Sequence, residues 1–344
     1  MDNLQFYKEK GSHPQRVFEY FSFDQLDAFH NQNILSAVYG KEWYSILITY
    51  GRNALFHTFY KHRIGDSGWF DIEPVLGYNG PVVNTDDKEF LCKAIRLYSD
   101  FCKEEKIVAE VMRFNCILNN HYLFKDIPSL HISPTKQIVV VSCMREDDKQ
   151  LKEFNEPCRR RVKSGLRNCE FKILNKEDEW MSFLMFYFNS LKRVGADRKW
   201  YFSQDFFERV RTSEYFQVYS VYHEGKIASA SLVIEYPFAG YYLLAGNSDE
   251  LIRGANESLI FHITRLFAKK GIPFLILGGG NSSSLDDPLF RFKKKFAKTT
   301  YIFFIGKMIH MPDIYKKLVD EAIRKRPDIE TVNFFLKYRL TEEV

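Results

Sequence analysis

Apolar residues alternate along Tyr44-Ser-Ile-Leu-Ile-Thr-Tyr50, where Tyr44, Ile46, Ile48 and Tyr50 share one face. That period of two predicts a strand. Gly51-Arg52-Asn53 supplies a turn, and Ala54 to His62 predicts the partner strand of a hairpin. Trp69 to Val75 predicts a third strand, closed by the turn-rich run Gly77-Tyr78-Asn79-Gly80-Pro81. The period then changes. Phe90/Leu91, Ala94/Ile95, Tyr98 and Phe101/Cys102 recur at helical spacing, predicting a helix from Asp86 to Glu105 that starts in a capping box of Asp86 and Glu89. Ile107 to Phe114 predicts the strand that follows.

The second half repeats this order. Phe216 to His223 and Ile227 to Tyr236 predict a hairpin around Glu224-Gly225, and Gly240 to Asn247 a third strand. A helix from Gly254 to Lys270 places Leu259/Ile260, Ile263 and Leu266/Phe267 on one face. Lys269-Lys270 suit its negative end, and Gly271 suits the position just beyond. Pro273 to Leu277 is the next strand. Between the halves, Asp147 to Gly165 predicts helix interrupted or restarted at Pro157, Cys169 to Leu174 a short strand, and Glu177 to Val194 and Ser203 to Arg211 two helices. Ser203 is read as a cap. The chain continues with a short basic helix from Pro288 to Phe296, a strand from Thr299 to Lys307 and an amphipathic helix from Pro312 to Arg326.

A chain of 344 residues accommodates two ordinary domains. Its 45% hydrophobic and 27% charged residues exclude a disordered protein, and 32 Phe with 20 Tyr leave aromatic rings to spare for a groove. Six cysteines without a C-x-x-C pair argue against a disulfide framework or a zinc site, and no metal is expected. The polar beginning and the lack of any apolar run of ~20 residues predict a cytoplasmic protein without a membrane span.

One stretch carries recognisable text. Ala245-Gly246-Asn247 ends a strand, Asn256-Glu-Ser-Leu259 opens a helix, Leu277-Gly278-Gly279-Gly280 ends the next strand, and Leu289-Phe-Arg-Phe292-Lys293-Lys-Lys-Phe296 follows. Upstream stand Arg159-Arg-Arg-Val-Lys-Ser-Gly165, Lys192-Arg-Val-Gly195 and Tyr201-Phe202-Ser203. This ordered set resembles the Fem-type (peptidoglycan-bridge) aminoacyltransferases of the Gcn5-related N-acyltransferase (GNAT) superfamily, mainly over residues 155–305. No single motif is specific; the succession is. In the N-terminal half the likeness rests on Trp43, Phe70-Asp71-Ile72 and Gly77 to Pro81.

The resemblance implies an α+β (mixed α/β) fold of two tandem GNAT-like units, each a mixed, largely antiparallel twisted sheet flanked by helices. The expected division is a degenerate N-terminal unit at 1–145 and a C-terminal acyltransferase unit at 146–344, with a basic linking helix at 147–167. It implies an enzyme that moves an acyl or aminoacyl group onto an amino group of a peptidoglycan or amino-sugar precursor. No cofactor is required. The implied donor is an aminoacyl-tRNA, with a CoA thioester less favoured, and the oligomeric state is left open.

Acyl transfer to an amine places negative charge on the carbonyl oxygen, so a cation or N–H groups must face it. The family's Phe-Lys pair makes Lys293 the catalytic candidate, although a lysine beside Lys294 and Lys295 is by default a solvated one. Phe292 reads as pocket wall. Gly278, Gly279 and Gly280 either let a donor approach the backbone or form a turn. Leu243 and Asn256 join them as donor-binding candidates. Arg159, Arg160 and Lys163 on the basic helix are candidates for tRNA phosphates or a nucleotide diphosphate, though adjacent arginines cannot all face one ligand. Tyr78 and Asn79 are expected to line an acceptor groove shaped by the first unit, and Asp71 and Glu73 are weaker candidates for holding the amine. Asp286 and Asp287 read as caps of the basic helix.

Acetyl-CoA enzymes of the superfamily carry Arg/Gln-x-x-Gly-x-Gly/Ala before the central helix, whose N–H groups bind pyrophosphate. Asp249-Glu-Leu-Ile-Arg-Gly-Ala255 fits that motif in no register and adds two acids. Two other functions remain open on the residues alone. One is a non-catalytic module that binds RNA or an anionic glycan through a degenerate GNAT fold. The other is an acyl-CoA-dependent amino-sugar N-acyltransferase.

Overall fold

The computed structural model describes residues 4–341. The first half of the chain runs β1 (Gln5–Lys10), α1 (Val17–Tyr20), α2 (Gln32–Tyr39), β2 (Trp43–Tyr50), β3 (Asn53–Arg63) and β4 (Phe70–Ile72). It continues through β5 (Val82–Val83), α3 (Lys88–Glu104), β6 (Ile107–Arg113) and β7 (Leu130–Ser142). The second half begins α4 (Asp147–Glu153), α5 (Glu156–Asn168), β8 (Glu170–Leu174), α6 (Glu177–Val194) and α7 (Gln204–Arg211). Then come β9 (Phe216–His223), β10 (Lys226–Ile234), β11 (Gly240–Asn247), α8 (Ala255–Lys270) and β12 (Phe274–Gly278). The chain closes with α9 (Pro288–Lys294), β13 (Tyr301–Ile309) and α10 (Pro312–Lys325).

These elements form two compact units, one built from the chain through Thr135 together with Phe303 onward, the other from Lys136–Ile302. A cut at 145/146 does not describe them. β13 pairs antiparallel with β6, from Ile305↔Arg113 to Ile309↔Ala109, and so belongs to the first unit. β7 pairs antiparallel with β12, from Phe274↔Ser142 to Gly278↔Val139, and so belongs in this part to the second. Each unit takes its sixth strand from the other half of the sequence.

The strand order is otherwise the same in both. The first unit runs β1-β2-β3-β4-β6-β13 and the second β8-β9-β10-β11-β12-β7. In each, only the fourth and fifth strands are parallel (β4 with β6, β11 with β12), joined by the one long helix that a parallel crossover needs. β5 pairs with β3 off this path.

The helices bury the faces that the spacing predicts. Phe90, Leu91, Ala94, Ile95, Tyr98, Phe101 and Cys102 of α3 are buried, as are Leu259, Ile260, Ile263 and Phe267 of α8. Burying each large apolar side chain contributes about 1.5–3 kcal/mol. The cap of α3 is Asp87 and not Asp86: its carboxylate accepts from the N–H groups of Glu89 at 3.0 Å and Phe90 at 3.1 Å. Pro157 does separate α4 from α5, where it takes the first turn of the second helix. β4 stops at Ile72, short of the expected Val75, because Pro74 has no N–H to offer the ladder.

In the first unit Glu110 is fully buried, with its carboxylate 2.6 Å from His57 Nε2 and accepting from Tyr98 Oη at 2.8 Å. His310, just past β13, stands 3.6 Å from the same carboxylate. Burial alone would push Glu110 up; the two histidines outweigh it and hold the carboxyl near 2. Asp71, also fully buried, is paired with Arg339, whose Nε donates to it at 2.9 Å. Glu73 lies 3.6 Å from Arg113. The two acids considered for holding an amine therefore serve ion pairs within this unit.

Candidate functional site

In the second unit the parallel strands stay together only briefly. Gly240 pairs with Leu275 and Tyr241 with Ile276, and beyond these the strands part. A bulge accompanies the parting on the β10 side, where Leu232 matches Leu244 and Val233 matches Tyr242. Leu243 is the extra residue, left out of the ladder. β12 slips against β7 between Ile276 and Gly278, and at Gly278 the backbone enters the left-handed region with φ 76°. Only a residue without Cβ adopts that conformation freely. The pairing thus ends toward the carboxyl ends of two parallel strands, the customary ligand position in an α/β sheet.

The chain from Gly278 to α9 is fixed by Asp287. Its carboxylate caps α9 by accepting from Leu289 and Phe290 N–H at 3.0 Å each, and reaches back to Ser282 N at 3.0 Å and Ser282 Oγ at 3.1 Å. The Phe290 N–H and these further donors hold the carboxyl down to about 2. Capping of this kind is what the sequence predicts for Asp287. With the helix start pinned, Phe290 is buried, and Phe292 meets Phe296 edge-on at 5.4 Å.

Lys293 follows, and its ammonium turns inward. Nζ donates to the Gly279 carbonyl at 2.9 Å, and a Cβ placed on Gly278 would lie 3.6 Å from Nζ. Burial, then the charge of Lys136, bring Lys293 from the ordinary 10.5 down to about 8, with Asp287 acting in the opposite sense. Lys294 beside it is exposed, and Lys295 lies over the Phe292 ring at 5.3 Å. Lys136, which the sequence reading missed, donates from β7 to the Gly280 carbonyl at 2.9 Å. Gly279 has no room for a side chain, since its Cβ would stand 2.7 Å from the Gln137 carbonyl oxygen.

The start of α8 is covered. Gly254, at φ 86°, precedes the helix, and α5 crosses it so closely that a Cβ on Gly165 would stand 2.6 Å from Ser258 Cβ and collide with the Gly254 carbonyl. A Cβ on Gly254 would collide with the Arg161 carbonyl in turn. Glu257, almost fully buried in the first turn, stands 3.5 Å from Arg161. Asn256 accepts a hydrogen bond from Ser229 Oγ. The positive end of α8 thus already holds a carboxylate.

The remaining candidates disperse. Arg159 donates to the Phe154 carbonyl at 2.9 Å, Arg160 pairs with Glu156, and Lys163 lies exposed on α5. The three basic residues do not converge. Tyr78 and Asn79 sit inside the first unit and not on an open groove. Asn79 Oδ1 accepts from Arg113 N–H at 2.9 Å, and the Tyr78 ring meets Phe303 edge-on at 5.7 Å. Burial pushes the Tyr78 phenol well up. Among the described residues no group of three or more His, Cys, Asp or Glu side chains is placed to hold a metal, and no helix is long and apolar enough to cross a membrane.

Comparison with known proteins bears on the fold. Residues 154–294 match the family described as acetyltransferase (GNAT) domain. None of the curated proteins searched matches the sequence. Among solved structures the chain is similar to FemX, at 14% identity and TM-score 0.67, over 90% of this chain and 99% of that one. It is also similar to L-PGS from Bacillus licheniformis, at 12% identity and TM-score 0.52, over 73% and 80%. A tandem GNAT protein from the clavulanic acid biosynthesis pathway matches at 8% identity and TM-score 0.51, over 88% and 98%. At these identities the likeness is one of fold.

Proposed function

We propose, from a GNAT domain set in a chain with the Fem-type fold, that this protein is an N-acyl or aminoacyl transferase whose acceptor is an amino group of a peptidoglycan or amino-sugar precursor. The observation that carries the reading is the Lys293 ammonium, held by the Gly279 carbonyl just past the carboxyl end of β12. In the reaction the acceptor nitrogen attacks the donor carbonyl and a C–N bond forms. The oxygen gains negative charge, and Lys293 donates a hydrogen bond to it. Collapse of the intermediate breaks the bond to the donor's leaving oxygen or sulfur, which departs with the proton lost by the amine. A preorganised donor of this kind contributes about 10²–10³ in rate.

An aminoacyl-tRNA is the favoured donor. A CoA pyrophosphate held as in acetyl-CoA enzymes needs the bare start of the central helix, and here α5 and Glu257 occupy it. The test is to incubate the protein with charged tRNA and amino-bearing cell-wall precursors, and in parallel with acyl-CoA. Transfer from tRNA, lowered about 10²–10³-fold in Lys293→Met, is the expected result. No transfer from either donor, or full activity in Lys293→Met, would overturn the proposal. Melting temperature with and without CoA separates the donors, since a bound ligand raises it.

A further inference from the structure

The turn that ends β12 receives two ammonium groups on consecutive carbonyls. Lys293 of α9 donates to Gly279 O and Lys136 of β7 to Gly280 O, each at 2.9 Å. Two like charges on one turn, partly shielded from water, act on each other strongly. β7 shapes the turn sterically as well: a Cβ at Gly279 would lie 2.7 Å from Gln137 O and 3.1 Å from Lys136 Cδ. Gln137 is itself fixed, accepting from Thr300 Oγ1 at 2.6 Å.

We infer that Lys136 is a positioning residue of the transfer site, holding the Gly280 carbonyl so that the turn presents Gly279 to Lys293 and acting through its charge on the Lys293 ammonium. The inference rests on Lys293 standing at the reacting carbonyl, as proposed above. Lys136 touches no substrate atom in this role. The charged groups facing Lys293 are Lys136 from β7 and Asp287 from the loop before α9, and the two act in opposite senses. A lysine that titrates at about 8 is mostly protonated at neutral pH, ready to meet the oxyanion, yet releases its proton easily. An isolated surface lysine does the first and not the second.

Trace acetylation of the full chain with acetic anhydride across the alkaline range, read on the Lys293 peptide by mass spectrometry, tests this directly. Wild-type labelling should rise with a midpoint near 8. In Lys136→Met the midpoint should move up by about one pH unit, whereas Lys136→Arg, which keeps the charge, should leave it in place. Transfer from charged tRNA should follow, its alkaline limb shifted in Lys136→Met and restored in Lys136→Arg. An unmoved midpoint in Lys136→Met, or an equal move in Lys136→Arg, overturns the inference. Should Lys136→Met fail to fold, Lys136→Gln is read by the same criterion. Labelling needs no substrate, so an active enzyme with an unmoved midpoint removes Lys136 alone. A moved midpoint in a protein that transfers from no donor removes the functional proposal.

Discussion

Replacing Lys293 with Met keeps an unbranched side chain of similar length and deletes its charge. The ordinary lysine titrates at 10.5, and Lys293 at about 8. At about 1.4 kcal/mol per pH unit, the folded protein holds about 3 kcal/mol against the ammonium at pH values below 8. The sign follows from proton counts. Between about 8 and 10.5 the unfolded chain keeps a proton that the folded chain has released, so wild-type stability rises with pH across that window. Met carries no such penalty, but it leaves the Gly279 carbonyl without its lysine donor, which costs about 1 kcal/mol. Partial exposure of the side chain trims the gain further. The net expectation at pH 7 is stabilisation by about 1–2 kcal/mol, which for a unit of this size is roughly 3–6 °C in Tm. Above pH 10.5 the advantage should vanish or reverse. Thermal melts of both proteins at intervals between pH 6 and 10.5, followed by circular dichroism, measure the effect. A variant less stable than wild type at pH 7, or a difference that does not change with pH, would refute the reasoning and make Lys293 an ordinary structural lysine. A group that lowers stability while raising activity is the signature of a site residue.

Gly165→Ala should gain about 1 kcal/mol in helix propensity and lose more than that, about 1–3 kcal/mol, because its Cβ enters the Gly254 carbonyl and Ser258. Urea unfolding checks the sign; equal stability of Gly165→Ala and wild type would disprove the close crossing. Glu110→Gln should destabilise the first unit by about 3–5 kcal/mol, since it leaves the buried His57 without its carboxylate. The wild-type contribution is a depressed carboxylate, complete above the ordinary 4.5 and lost as pH falls toward about 2, so acid titration of the circular dichroism signal should show the variant unfolding at higher pH and with a weaker pH dependence.

Much of the architecture was legible because it depends on local periodicity. The amphipathic faces of α3 and α8 are written in the spacing of their apolar residues, and α6 and β9 fall at their predicted bounds. What was hidden depends on partners distant in sequence. β7 opens with Leu130 and Ile132 alternating with His131 and Ser133, is interrupted by Pro134 and the polar Thr135-Lys136-Gln137, and turns apolar at Ile138, so neither its full thirteen residues nor its pairing with β12 is announced locally. Lys136 was lost with it. Asp87 was displaced by its neighbour Asp86, since a cap is decided by backbone geometry and two adjacent aspartates look alike in sequence. Arg159 and Arg160 stood out as charge in a run, but charge says nothing of the Phe154 carbonyl or Glu156 that take it up. Tyr78 and Asn79 carried turn chemistry, and the turn proved to face inward.

The exchange of sixth strands has a consequence for the order in which the protein is made. A ribosome delivers the first half before the second, yet the first unit lacks β13 until the chain has reached Ile309. Through that interval the edge of β6, Ile107-Val-Ala-Glu-Val-Met-Arg113, has no strand beside it on that flank, the kind of open edge that invites pairing with other chains. The second unit waits far less, because β7 already exists when β12 emerges. The unit begun before the other is completed after it, so the nascent chain needs protection chiefly while β13 is still unmade.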